Sequence, residues 1–209
     1  MSRLSPAALW RGAICALCWP PLLAHAAQPV RLNDGDLIFQ TSTSAQSVAI
    51  QQATASRWSH MGVIVYRNGK PYVLEAEAQV RYTPLAPWIA RGKDGRYAVR
   101  RLREHASIDT DAAHARLRET ASGMLGRSYD STFEWSDQRL YCSELAWKLY
   151  QRSYGIALAP LSRLRDFKLD SAVVQAKMLE RYHGKPPLDE PVIAPDAIYR
   201  SSLLITVVE

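Results

Sequence analysis

The sequence is short of what a metal centre, a disulfide scaffold or a membrane span would need. It holds 3 cysteines in 209 residues, and two of them, Cys15 and Cys18, fall inside an N-terminal stretch with the marks of a leader. Once that stretch is removed Cys142 stands alone, and no internal disulfide can form. His105, His114 and His183 have no cysteine or acidic partner at metal-ligand spacing, so neither a metal nor another cofactor is expected. With only 10 glycines there is no loop of the kind that cradles phosphates, and there are no internal repeats. The main apolar run, Gly12 to Trp19 with Leu22-Leu23, is broken by Pro20-Pro21 and is too short to cross a bilayer. The net charge of +6 comes from scattered Lys and Arg with no basic stripe between aromatics, which argues against nucleic acid as a partner. Such a charge suits a loose attraction to an anionic envelope or membrane surface.

What remains describes one folded domain behind a leader. A chain 47% hydrophobic and 22% charged, with 12 prolines, is neither disordered nor fibrous. Arg3 and Arg11 give a basic start, the apolar run follows, and Ala24-His25-Ala26 offers an A-x-A cleavage site. Residues 1–27 are therefore expected to be a signal peptide and residues 28–209 a single domain, periplasmic or secreted after cleavage. Retention of the leader as an anchor is the lesser expectation.

The lone mature cysteine opens a helix. From Cys142, Leu145, Ala146, Leu149 and Tyr150 recur at i+3, i+4, i+7 and i+8, one helical face, and Gly155 supplies a stop. Glu144, Lys148 and Arg152 lie on the other side, with Glu144 and Lys148 spaced for an i, i+4 pair. A thiol in a first turn feels free backbone N–H groups and the positive end of the helix dipole, both of which favour the thiolate. Taken by itself, such a cysteine is more often a core residue.

A second stretch changes that balance. Asn68-Gly69, flanked by β-rich runs from Trp58 to Glu77, is a strong hairpin signal. A two-residue turn there makes positions summing to 137 face each other, which sets His60, Gly62, Glu75 and Glu77 on one side of the hairpin. Glu77 falls directly opposite His60 and Glu75 is its diagonal neighbour, so the register leaves either glutamate as the imidazole's partner. One imidazole, one carboxylate and one helix-start thiol make up a Cys–His–acid constellation.

The rest of the chain reads as a mixture of strands and helices. Leu37-Ile38-Phe39 is a short strand, and Thr41 to Ser56 a loop running into a helix. Thr83-Pro84 and Ala86 to Ile89 form a loop with a short helix, Gly92 to Gly95 a turn, and Tyr97 to Leu102 a strand. A helix runs from Asp109 or Thr110 to Gly126, another from Ala172 to Tyr182, and Leu203 to Val208 closes with a strand. Arg127 to Arg139 is an irregular aromatic-acidic segment that either walls a cleft or packs as a loop; Trp135, with Tyr141 after it, is the cleft candidate. This order suggests an α+β fold, an antiparallel sheet packed by helices.

At Ser59-His60-Met61-Gly62-Val63, Leu74-Glu75-Ala76 and Tyr141-Cys142-Ser143-Glu144-Leu145 the chain resembles the YiiX-type family of permuted NlpC-like, papain-fold cysteine hydrolases. The likeness extends to Gly35-Asp36-Leu37-Ile38, the Asn68-Gly69-Lys70-Pro71 turn, Phe133 to Asp137 and Leu188 to Pro191. The histidine strand precedes the cysteine helix, the order that the permuted group requires. The resemblance implies a circularly permuted papain-like (NlpC-like) fold, with Cys142 as nucleophile, His60 as general base and Glu75, ahead of Glu77, as the group orienting His60. It also implies hydrolysis of an amide through a thioester, in cell-wall (peptidoglycan) peptides. The alternatives are a lipid or acyl-chain amidase, thioesterase or acyltransferase with the same triad, and an exported binding module without catalysis. A peptidoglycan-derived peptide or an acyl compound is accordingly the expected partner.

Overall fold

The structure, a computed structural model, describes residues 30–209, so the leader expected at residues 1–27 lies outside the described residues. The chain begins with β1 (Leu37–Ser42), α1 (Ser47–Thr54), β2 (His60–Arg67), β3 (Lys70–Ala76), β4 (Val80–Pro84) and α2 (Leu85–Ala90). Next come β5 (Gly92–Leu102), α3 (Asp111–Ser122), the two-residue strands β6 (Ser128–Tyr129) and β7 (Arg139–Leu140), and α4 (Cys142–Tyr154). The chain ends with β8 (Ser162–Arg163), α5 (Ala172–Tyr182), β9 (Pro191–Val192), α6 (Pro195–Tyr199) and β10 (Leu204–Val208).

Six strands form one sheet in the order β10-β5-β1-β2-β3-β4, every neighbouring pair antiparallel. The β2–β3 hairpin lies one strand in from the β4 edge. Asn68 and Gly69 take φ of 50° and 73°, the left-handed pair that a two-residue turn between twisted strands requires. The register that follows, Arg67 with Lys70 through Val63 with Leu74, is the one expected from that turn.

Alternation along these strands feeds two apolar layers. Leu37, Phe39, Met61, Val63 and Leu74 point to one face and pack with Leu145 and Leu149 of α4 and Leu117 of α3. Ile38, Ile64, Val73 and Val99 point to the other, where Trp88 of α2 covers them. Thr110 caps α3 by accepting from the Ala113 N–H, at 3.2 Å. The Tyr150 hydroxyl donates to the Gly35 carbonyl, fixing α4 to the turn before β1. The fold is α+β, one antiparallel sheet packed by helices on both faces.

The structure corrects several local expectations. Thr83-Pro84, expected in a loop, closes β4; it is an edge strand, where the missing N–H of a proline costs no ladder bond. The strand expected from Tyr97 starts at Gly92 and carries Asp94 and Gly95 in left-handed conformations within it. Pro195–Tyr199 is a short helix with proline at its start. Glu144 and Lys148 do pair, Nζ to Oε1 at 2.7 Å, but neither faces solvent. The segment before α4 folds over them, and Lys148 Nζ also donates to the Ser136 carbonyl at 2.6 Å and to Asp137 at 3.0 Å.

Candidate active site

Three elements converge at one end of the sheet: the first residue of β2, the sixth of β3 and the first of α4. Each places one polar side chain. Gly62 is what lets β2 and β3 approach there, since a Cβ on it would fall 2.3 Å from Val73 Cγ1 and 2.7 Å from the Leu74 carbonyl oxygen.

Glu75 is fully buried and its carboxylate is saturated with donors. Oε2 accepts from His60 Nε2 at 2.7 Å and from Trp88 Nε1 at 2.9 Å. Oε1 accepts from Thr83 Oγ1 and from Arg91 Nη2, each at 2.5 Å. Burial works against the charge, yet the bond to His60, its positive charge, the Thr83 hydroxyl and the Arg91 guanidinium outweigh it and hold the carboxyl at about 2. Glu77 occupies another position: half its side chain is exposed and it pairs with Arg81 at 2.6 Å, with Arg91 3.6 Å away. The diagonal neighbour, not the directly opposed residue, meets the imidazole.

His60 is clamped from two sides. Its ring stacks on Trp88 with centroids 5.8 Å apart and planes at 26°. With Nε2 committed to Glu75, Nδ1 is the nitrogen left for Cys142. Burial tends to lower the imidazole's pKa, but hydrogen bonds to Cys142 and Glu75 and the charges of both raise it to about 9. Cys142 responds in the opposite direction. Burial would raise its thiol, but the hydrogen bond and charge of His60, with the backbone N–H groups of Met61 and Ser143, bring it below its ordinary value. At neutral pH these shifts favour a thiolate beside an imidazolium.

Cys142 is 4% exposed, and that residual surface opens into an apolar recess that Tyr141 also lines. His60 opens instead into a polar groove with Gln40, Ser42, Gln46, Glu77 and Arg91. Trp135 lines neither; it packs edge-on against Trp147, centroids 5.3 Å apart, over the Lys148 ammonium. Phe133, two residues earlier, is the aromatic from that segment that reaches the recess.

Tyr129 lines both recess and groove, a position that periodicity does not reveal because it sits in an irregular segment. Its oxygen accepts from Gln46 Nε2 at 2.7 Å, so its own proton remains to be given. Burial pushes that hydroxyl's pKa up, and the neighbouring Cys142 charge adds to the rise. Thr83, Trp88 and Arg91 are equally invisible as site residues in the sequence, because they reach Glu75 from β4 and the α2 region rather than from the hairpin.

Comparison with known proteins gives the family. Residues 31–208 match the family described as "Permuted papain-like amidase enzyme, YaeF/YiiX, C92 family". The Escherichia coli K12 protein described as "Uncharacterized protein YiiX" is 47% identical over 184 residues, 88% of each chain. A crystal structure of YiiX from Escherichia coli O157:H7, described as a metalloprotein, superposes with a TM-score of 0.81 at 46% identity, covering 84% of this chain and 96% of that one. With a histidine strand ahead of a cysteine helix, and a match that runs over nearly all the described residues, the chain belongs to the YaeF/YiiX family of permuted papain-like amidases and is a hydrolase.

Proposed function

We propose that this amidase works by acyl transfer through Cys142, with His60 as acid and base and Glu75 as the group that orients and charges His60. The observation that carries the reading is the 2.7 Å bond that fixes His60 Nε2 on the buried Glu75, with the start of α4 bringing Cys142 to the same end of the sheet, where the two groups shift each other's titration. The thiolate attacks the amide carbonyl carbon, and negative charge gathers on the carbonyl oxygen. Backbone N–H groups at the start of α4 and the Tyr129 hydroxyl supply donors for that oxygen. Collapse breaks the C–N bond, and the leaving nitrogen takes the proton from His60. Neutral His60 then draws a proton from water, the resulting hydroxide equivalent attacks the thioester, and release of the acid restores the ion pair. Glu75 keeps the ring in one orientation throughout.

Two substrate classes suit this chemistry: cell-wall peptides, and amides of lipid-like acyl groups. The polar groove beside His60 fits a hydrophilic amine half in either class. An envelope location belongs to the same reading and rests on the basic start, the apolar run and Ala24-His25-Ala26. N-terminal sequencing of the exported protein tests it.

The related YiiX structure is described as that of a metalloprotein, but the described residues of this chain offer no matching donor set. Glu75 already accepts four hydrogen bonds, and no group of three or more His, Cys, Asp or Glu placed to hold a metal ion occurs among the described residues. No step of the proposed cycle runs through a metal.

The test is Cys142→Ala assayed on muropeptides and on acylated amides. Turnover is expected to fall by on the order of a thousand-fold or more with the melting curve retained, and an acyl-enzyme mass is expected only in the wild type. Full activity in the variant refutes the thiol mechanism.

A further inference from the structure

Tyr129 ends a chain of hydrogen bonds that starts outside the site. Arg181, in the last turn of α5, donates from Nη2 to Gln46 Oε1 at 2.6 Å. Gln46, the residue before α1, donates from Nε2 to the Tyr129 oxygen at 2.7 Å. The guanidinium also lies over the Phe133 ring, 4.9 Å from its centre. Glu180, the acid next to Arg181 in sequence, pairs with Lys177 instead, at 2.6 Å.

The direction of this chain is fixed at its far end. A guanidinium holds donors only, so the Gln46 carboxamide must turn its oxygen to Arg181 and its NH2 to Tyr129. The phenol oxygen then receives a proton, and its own O–H is left for the junction of recess and groove that Tyr129 borders. With the carboxamide reversed, its oxygen would take the phenol's proton, and the hydroxyl would be lost to the oxyanion. Charge acts in the same sense as geometry. Burial and the Cys142 charge raise the phenol's pKa, whereas the Gln46 bond and the Arg181 charge pull it down. A more acidic O–H is the stronger donor to a negative oxygen.

We infer that Arg181 and Gln46 are positioning residues of the amidase reaction, holding Tyr129 in the orientation in which it donates to the oxyanion. Arg181 lines neither the recess nor the groove, so its effect passes through Gln46. The inference rests on the reading of Tyr129 as an oxyanion donor and adds what makes it one. It also gives α5, a surface helix with Val174 as its buried residue, a part in turnover.

The experiment compares two reactions of Cys142, each with the Cys142→Ala rate subtracted. Acylation by 4-nitrophenyl acetate gathers negative charge on a carbonyl oxygen, whereas alkylation by iodoacetamide is a direct displacement that forms no oxyanion. The ratio of the two rates therefore reports donation to the oxyanion, free of changes in thiolate content or access. Tyr129→Phe is expected to lower the ratio by roughly ten-fold or more. Gln46→Glu keeps the size of the side chain and the bond to Arg181 but turns an oxygen to the phenol. It is expected to bring the ratio within a few-fold of Tyr129→Phe, with the melting temperature unchanged or raised. Arg181→Met frees the carboxamide to turn and is expected to lower the ratio several-fold, while Arg181→Lys, still a donor only, restores most of it. In a Tyr129→Phe background, Gln46→Glu and Arg181→Met are expected to cost nothing further. If Gln46→Glu does not fold, the two Arg181 variants decide alone. A purely structural contact predicts a wild-type ratio in Gln46→Glu, or losses that add to that of Tyr129→Phe. Either result, with Tyr129→Phe itself impaired, overturns the inference and leaves Tyr129 as the donor. A wild-type ratio in Tyr129→Phe overturns both.

Discussion

His60 Nε2 lies 2.7 Å from Glu75 Oε2, although the paired ladder between their strands closes at Val63 and Leu74. Past that last pair the strands still run side by side, because Gly62 has no Cβ to push them apart. The contact is thus diagonal, and it is the other donors around Glu75 that select it. Four hydrogen bonds keep Glu75 ionised although its own carboxylate is fully buried, whereas Glu77 uses its charge on Arg81 at the surface.

Glu75→Gln and Glu77→Gln should therefore behave differently. The first removes the charge that helps raise His60, and a loss in kcat of roughly a hundred- to ten-thousand-fold is expected, as for other triads deprived of their carboxylate. The second touches only exposed ion pairs, worth about 1 kcal/mol or less, and should leave kcat within a few-fold. Steady-state kinetics on one amide substrate checks both. Equal losses would mean that the imidazole takes its support from Glu77.

The hairpin and its register are legible in the sequence because Asn68-Gly69 is a local signal: the turn chemistry and the pairing it dictates lie within about twenty residues. The choice between the two glutamates is not legible there, since it is made by Thr83, Trp88 and Arg91, which reach Glu75 from β4 and the α2 region. Pro84 hides that strand by looking like a loop residue. The α4 face bearing Cys142 follows its apolar period, but Glu144 and Lys148 look solvated because nothing local says that Ser136 and Asp137 will fold over them. Tyr129 sits in an irregular segment, and its place beside the sulfur comes from tertiary packing, which no short-range pattern encodes.

Tyr129→Phe isolates that tyrosine. Its oxygen is held by Gln46, so the variant loses a donor at the scissile carbonyl while keeping the ring that borders both spaces. A fall in kcat of roughly ten- to a thousand-fold, with KM changed little, is the expected loss for an oxyanion donor. A change in KM alone would place the hydroxyl on the substrate's ground state instead.

The buried Glu144–Lys148 pair makes stability depend on pH. Burial raises the Glu144 carboxyl to about 7 from an ordinary value of 4.5, against the opposing pull of Lys148. The folded state thus holds this proton more tightly than the unfolded chain. Its contribution is fully present below about 4.5 and is lost as pH rises through about 7. The difference in unfolding free energy between wild type and Glu144→Gln should fall by roughly 3 kcal/mol over that window and then level off. Urea unfolding at half-unit steps measures it. A difference independent of pH would show that the carboxyl stays charged throughout.

The titration of the Cys142–His60 pair is the most direct consequence of its geometry. The imidazole is held up to about 9 and the thiol is brought down, so between the two the reactive form is thiolate beside imidazolium. As pH rises through about 9 the imidazolium loses the proton that the leaving amine needs, and kcat/KM should decline there. On the acid side, alkylation of Cys142 by iodoacetamide should set in at a pH below the ordinary thiol value of about 8.5. Glu75→Gln removes one of the two groups that raise His60, so the alkaline limb should move to lower pH in that variant while the Glu77→Gln profile stays with the wild type. An alkylation rate that begins to climb only above about pH 8.5 would mean that the sulfur is an ordinary thiol and that the imidazole does not hold it as an ion.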